Sequence, residues 1–184
     1  MYRRGFLTGL AGVTGALSLP QIAHGRDVVS ANLLAEPLQS TQSALGLRLM
    51  DASGARLFLA DYSDHLLVVN FWGPWCPPCR REMPSLSRLA KRLEGTLVKV
   101  LPVAFDRLGA GRVQRFFDQM SIDNLPVIMG DGQNLYDTLG LEMLPSTAIV
   151  TQAGDHIATV AGEAIWDDDA TFQWLTTLAK TEQP

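Results

Sequence analysis

Val69-Asn70-Phe71-Trp72-Gly73-Pro74-Trp75-Cys76-Pro77-Pro78-Cys79-Arg80-Arg81-Glu82-Met83-Pro84 holds the only two cysteines of a 184-residue chain. They stand in a CxxC spacing, with none left over for a structural bridge. The apolar run that leads in, Leu66 to Trp72, reads as a buried strand, and Cys79 to Leu93 reads as a helix. A CxxC pair at a strand-to-helix junction suggests a redox couple rather than a scaffold. Two other uses compete. A permanent disulfide across so short a loop stabilises little, because the gain grows with loop length. A zinc site needs two further ligands, and the histidines are only His24, His65 and His156.

If the helix begins at the motif, Cys76 sits at its N-terminus. Unpaired N–H groups and the helix dipole stabilise a thiolate there. The thiolate is the attacking species in disulfide exchange. Cys79 lies one turn further in and is placed to resolve a mixed disulfide. Pro77 and Pro78 stiffen the turn and bring no N–H donors. Glu82 follows Cys79 by three residues, about one turn along the same helix. Such an acid is either a solvated surface group paired with a neighbour such as Arg81, or a buried carboxyl whose proton affinity is pushed towards neutrality.

The first 25 residues differ from the rest. Arg3-Arg4 is followed by an apolar, glycine-bearing run from Phe6 to Leu19, and no acid precedes Asp27. With Ala23-His24-Gly25 as a small-residue end, this reads as a twin-arginine export signal, residues 1–25, cleaved after Gly25. An uncleaved anchor facing the periplasm is the alternative, although the run falls short of the ~20 residues a spanning helix needs. Cleavage removes Arg3 and Arg4 from 15 basic residues and nothing from the 19 acidic ones, moving the formal charge from −4 to −6. No basic patch remains, which argues against a nucleic-acid partner. The expected location is the periplasm, where disulfides form readily, with no stable membrane insertion after cleavage.

Residues 26–44 read as a linker or leader, and residues 45–184 as one domain. Leu45 to Met50 and Arg56 to Ala60 read as a hairpin about the turn Asp51-Ala52-Ser53-Gly54. After the cysteine helix come a strand over 97–105 and a helix over 111–120. A short strand over 127–129 follows, then a short helix over 134–139. Strands over 146–150 and 156–161 and a last helix over 168–180 complete the pattern. This alternation gives an α/β architecture, a central mixed sheet with helices on both faces.

The quoted stretch resembles the TlpA/ResA/CcmG group of exported thioredoxin-like thiol-disulfide oxidoreductases. The likeness extends through Asp106, Leu125-Pro126-Val127, Gly140, Leu144-Pro145-Ser146-Thr147 and Gly154-Asp155, in the group's order. It implies a thioredoxin-like fold with an N-terminal hairpin and a TlpA-type central insertion. It implies a cis-proline at Leu144-Pro145, where an extended client would add as a strand; Pro126 competes for that role. It implies a proton-handling role for Glu82, since Asn70 stands where ordinary thioredoxins carry an ionisable aspartate. Cys76 and Cys79 would be the redox disulfide, with Trp75 beside them for client binding; Trp72 more often packs as core in this fold.

The resemblance implies a reductase of client proteins with cysteine pairs, of the cytochrome c or copper-site maturation type, recharged by a membrane thiol electron donor. No cofactor or metal is expected. A disulfide-donating oxidant and a non-catalytic copper or thiol chaperone on the same fold are the alternatives. Copper delivery of the Sco kind would want CxxxC and a placed histidine. A peroxidase would place a single reactive cysteine in a Pro-Thr context. His156 reads as structural or exposed, and Asp167-Asp168-Asp169 as helix capping rather than metal binding.

Overall fold

The computed structural model describes residues 28–182, so the export-signal reading and the cut after Gly25 lie outside the described residues. The central strand β5 (Leu66–Trp72) is buried at every position. Its side chains alternate between faces, as strand geometry requires. Leu66, Val68 and Trp72 join one core cluster, while Leu67, Val69 and Phe71 join another. A strand covered on both faces reads as a continuous apolar run, which is why 66–72 is so legible in the sequence. Asn70 interrupts that run on the first face.

The strand β6 (Val98–Ala104) runs parallel to β5, and β7 (Ile128–Gly130) runs parallel to β6. On the other side β8 (Ser146–Val150) is antiparallel to β5, and β9 (Asp155–Ala161) is antiparallel to β8. The hairpin of β3 (Leu49–Asp51) and β4 (Arg56–Leu57) closes the sheet beyond β7. The thioredoxin-like mixed sheet, its N-terminal hairpin and the inserted unit around β7 are all present. The hairpin is shorter than the sequence predicts. Leu47 precedes the strand, and a 3-10 turn over Leu59–Tyr62 replaces the end of the returning strand.

One face carries α2 (Pro77–Arg92), α3 (Ala110–Met120) and α5 (Asp169–Thr181), which bury Met83, Leu86, Phe116, Phe117 and Leu175 in the first cluster. Trp72 is core, as expected of this fold, with ring centroids 5.2 Å from Phe116 and 5.5 Å from Phe117. The other face carries α4 (Gly132–Leu139), which buries Leu135 and Leu139. Asp131 caps α4, its carboxylate accepting from the backbone N–H of Gln133 and Asn134.

Residues 29–43 are not the linker that the sequence suggests. They form β1 (Val29–Ser30), a one-turn helix α1 (Ala31–Leu34) and β2 (Ala35–Ser43). β2 adds to the sheet edge against β9. β1 pairs in parallel with β10 (Ala164–Ile165), a strand the sequence reading also lacks. Pattern reading misses both because β2 is mostly exposed and β1 and β10 have two residues each, too short for a period.

Gly130 ends β7 against the core. A Cβ there would lie 2.6 Å from Val103 Cγ1 and 2.8 Å from Phe105 Cε1, and Val103 is fully buried and cannot retreat. Gly130→Ala is therefore expected to destabilise the fold by about 1–3 kcal/mol through overpacking. Urea unfolding checks this: the midpoint falls while the slope stays unchanged.

Candidate active site

Cys76 and Cys79 are joined by a disulfide. Cys76 is the N-cap of α2, and its Sγ accepts from the Cys79 backbone N–H at 3.4 Å. Pro77 and Pro78 occupy the first two helical positions. Both lack an N–H, so Cys79 supplies the first backbone donor that can face Cys76. That donor and the dipole of a 16-residue helix favour negative charge on Cys76 Sγ once the disulfide opens. Both cysteines are buried.

Cys76 lies in a groove of about 460 Å³ together with Trp75, Pro77, Leu141, Met143 and Leu144. The Leu144-Pro145 peptide bond is cis. The expected client-binding residues Trp75 and Leu144 thus line one concavity with the reactive sulfur, and Pro145 follows directly. Pro126 is not in a cis bond. Trp75 is half exposed, and its Nε1 donates to the Phe105 carbonyl at 2.8 Å. Gly73 makes this possible, because a Cβ there would come within 2.8 Å of the Trp75 ring.

Glu82 is not a surface acid. It is 2 % exposed, and Arg81 pairs with Glu163 instead. Glu82 lies on the α2 face that packs on β5, which is the face Asn70 projects from. Asn70 Nδ2 donates to Glu82 Oε1 at 2.8 Å and to Thr147 Oγ1 at 3.0 Å. Oε2 receives the Ala164 backbone N–H at 3.1 Å and Trp166 Nε1 at 3.4 Å. Burial pushes the Glu82 carboxyl up to about 7. The three donors oppose that rise, and the Glu163 charge adds to it.

The other residues weighed from sequence fall out as structural. His156 is buried, with Nε2 at 3.0 Å from the Ala158 carbonyl and 2.9 Å from Thr159 Oγ1, and burial holds its pKa below the usual value. Asp168 caps α5 through the Thr171 N–H. Asp167 and Asp169 do not cap as the sequence suggests; they pair with Arg88 and Arg92 of α2. Glu163, Ala164 and Trp166 escape the sequence reading, which names Thr147 within the likeness but gives it no role. Only Thr147 carried a usable signal, two residues past Pro145 on a strand. The others depend on how residues 162–167 cross the helix.

A CxxC disulfide pair at the start of the helix after the central strand, with a cis-proline loop lining the same groove, defines a thioredoxin-fold thiol-disulfide oxidoreductase. Residues 41–156 match the AhpC/TSA family, and the chain belongs to that family. It is 29% identical over 121 residues to the thiol-disulfide oxidoreductase ResA of Halalkalibacterium halodurans, covering 66% of this chain and 68% of that one. ResA of Bacillus subtilis is 26% identical over 152 residues, 81% of this chain and 83% of the relative. Among solved structures, a secreted thiol-disulfide isomerase from Corynebacterium glutamicum superposes with a TM-score of 0.65 at 19% identity, over 80% of this chain and 92% of that one. A putative thiol:disulfide interchange protein DsbE from Chlorobium tepidum gives 0.62 at 18%, over 76% and 96%. At these identities the two structures speak to the fold alone.

Glu82 leaves a mark on stability. Its proton affinity is higher folded, about 7, than the ordinary 4.5. Between those values the folded state binds more protons than the unfolded one, so stability falls as pH rises. The contribution is complete below about 4.5, is lost as pH climbs through 7, and amounts to about 3 kcal/mol. Glu82→Gln is expected to flatten this slope, read from urea midpoints between pH 5 and 8; an unchanged slope would mean that Glu82 does not titrate there.

Proposed function

We propose that this chain is an exported thiol-disulfide reductase of client proteins in the periplasm. The observation that carries the reading is the juxtaposition of Cys76 at the α2 N-cap, an apolar groove around it, and a buried carboxyl three residues beyond Cys79.

The Cys76 thiolate attacks one sulfur of a client disulfide. A Cys76–client bond forms and the client's other sulfur leaves as a thiolate. Cys79 must then lose its proton to attack Cys76 Sγ. Glu82 as carboxylate takes that proton, the Cys76–Cys79 bond forms, and the second client sulfur leaves. Two electrons pass to the client, and the chain ends in the disulfide form. A carboxyl near 7 holds both protonation states at neutral pH, which suits a group that both accepts and returns a proton.

The groove around Cys76 is lined by leucines, Met143 and Trp75, which suits an extended segment with an apolar side chain near its cysteine. Leu144-Pro145 would offer backbone to that segment as an added strand. The twin-arginine leader supports export, and a periplasmic dithiol there needs a membrane thiol donor to recharge it. Clients of the cytochrome c or copper-site maturation type follow from the resemblance of Val69 to Pro84 to the TlpA/ResA/CcmG group.

Insulin disulfide reduction with an external thiol source tests this reading. Wild type is expected to turn over. Cys76→Ala is expected to be inert, and Cys79→Ala to stall as a Cys76-linked mixed disulfide with its client. A reduction potential near the thioredoxin value of about −270 mV fits a reductase. One near the DsbA value of about −120 mV would instead make the chain a disulfide donor.

A further inference from the structure

Trp75, Phe105 and Gly132 line two cavities at once. One is the groove that holds Cys76. The other, of about 470 Å³, continues to Asp106, Arg107 and Arg112. The hydrogen bond from Trp75 Nε1 to the Phe105 carbonyl, 2.8 Å, joins the two. Cys76 follows Trp75 in the chain and Asp106 follows Phe105. The reactive cysteine and the turn over residues 106–109 are therefore each one residue from that bond. A client segment that passes Cys76 and crosses Trp75 enters the second cavity.

That cavity is electropositive. The Asp106 side chain is 1% exposed, and its Oδ1 accepts the Leu108 N–H at 2.6 Å. Oδ2 is buried without a hydrogen-bond partner. Arg112 Nη1 stands 3.4 Å from Oδ2, in charge contact but outside hydrogen-bond geometry. The sealed carboxylate thus holds Arg112 at the cavity wall without using up its donors. The Arg112 side chain is 38% exposed. Among the described residues, Arg107 has no acid within ion-pair distance. The helix α3 opens beside them on Gly109, with no side-chain cap and no acid in its first turn. Its dipole adds positive potential there. Two guanidiniums and a helix start thus outweigh one buried carboxylate, on a chain whose net charge is negative. The groove around Cys76 carries an acid instead, Glu142, so the joined cleft changes sign along its length.

We propose that this second cavity is a specificity subsite of the thiol reaction, taking a carboxylate side chain that a client carries near its reactive cysteine. The inference deepens the reductase reading and rests on it. A carboxylate offers two acceptors to the planar fork of Arg112. Arg107 adds a second positive charge, and the Trp75 and Phe105 rings flank the entry. A basic client side chain meets like charge in the same place and is disfavoured. The apolar groove accepts an extended client in general, and the arginine subsite discriminates among clients.

The test uses three synthetic peptides with one internal disulfide, identical but for Glu, Gln or Lys at one position, which is scanned along both sides of the first cysteine. Wild type is expected to reduce the Glu peptide with a kcat/KM about 10-fold above the Lys peptide at the favoured positions, with Gln between. High salt should shrink the gap. Arg112→Gln and Arg107→Glu should each close most of it. Arg112→Gln leaves Asp106 without its counter-charge, so Arg107→Glu, which breaks no ion pair, keeps the test decisive if the first variant does not fold. No gap at any position in wild type, or a gap that survives the substitutions, overturns the subsite. The same peptides with Ser in place of Cys, titrated into the oxidised protein and read from the Trp75 indole N–H by NMR, separate the two readings. Binding in the order Glu, Gln, Lys without turnover of any peptide would sink the reductase reading and keep the subsite. Equal turnover of all three would sink the subsite and keep the reductase.

Discussion

A carboxyl group sealed from water has to be held by something, and Glu82 is held by donors alone. Asn70, Ala164 and Trp166 all offer hydrogen to its two oxygens. Such a cage suits the ionised form, while burial suits the protonated one. The balance leaves the group near 7, where either form is within thermal reach. An apolar site would have kept it protonated, and a solvated helix surface would have kept it ionised. Much of the architecture around the cysteines serves to strike that balance. β5 places Asn70, α2 places Glu82 one turn past Cys79, and the β10 crossing supplies the other two donors.

The same constraint explains why the central strand carries a polar residue at all. A buried amide must find partners or destabilise the fold. Asn70 Nδ2 finds two, Glu82 on the helix and Thr147 on the neighbouring strand. It thereby links the acid to the strand that begins immediately after Pro145. The cysteine helix, the strand after the cis-proline and the carboxyl are connected through one uncharged side chain. An ionisable aspartate there would have placed a second buried negative charge against Glu82.

What the sequence makes legible follows from where the information is local. The buried strand, the cysteine helix and its proline start can be read within twenty residues, because apolar continuity and N–H bookkeeping are local properties. Asn70 and Glu82 stand out as a polar residue in a core strand and an acid one turn beyond a thiol. Whether Glu82 faces solvent or core was open, because the spacing of a helix fixes which residues share a face but not what covers it. Glu163, Ala164 and Trp166 were invisible for that reason. Their role exists only because residues 29–30 pair with 164–165 and three arginines draw the crossing segment onto α2. Residues 29–43 lack a strand signature in sequence because an exposed edge strand has none of the alternation that marks a half-buried one.

If Glu82 exchanges a proton with the cysteine pair, its ionisation must depend on whether that pair is oxidised or reduced. The infrared difference spectrum between the dithiol and disulfide forms at neutral pH measures this directly. Proton exchange with the cysteine pair requires a protonated-carboxyl band that changes amplitude on reduction and is absent from the spectrum of Glu82→Gln. A carboxyl signal identical in the two redox forms would contradict it.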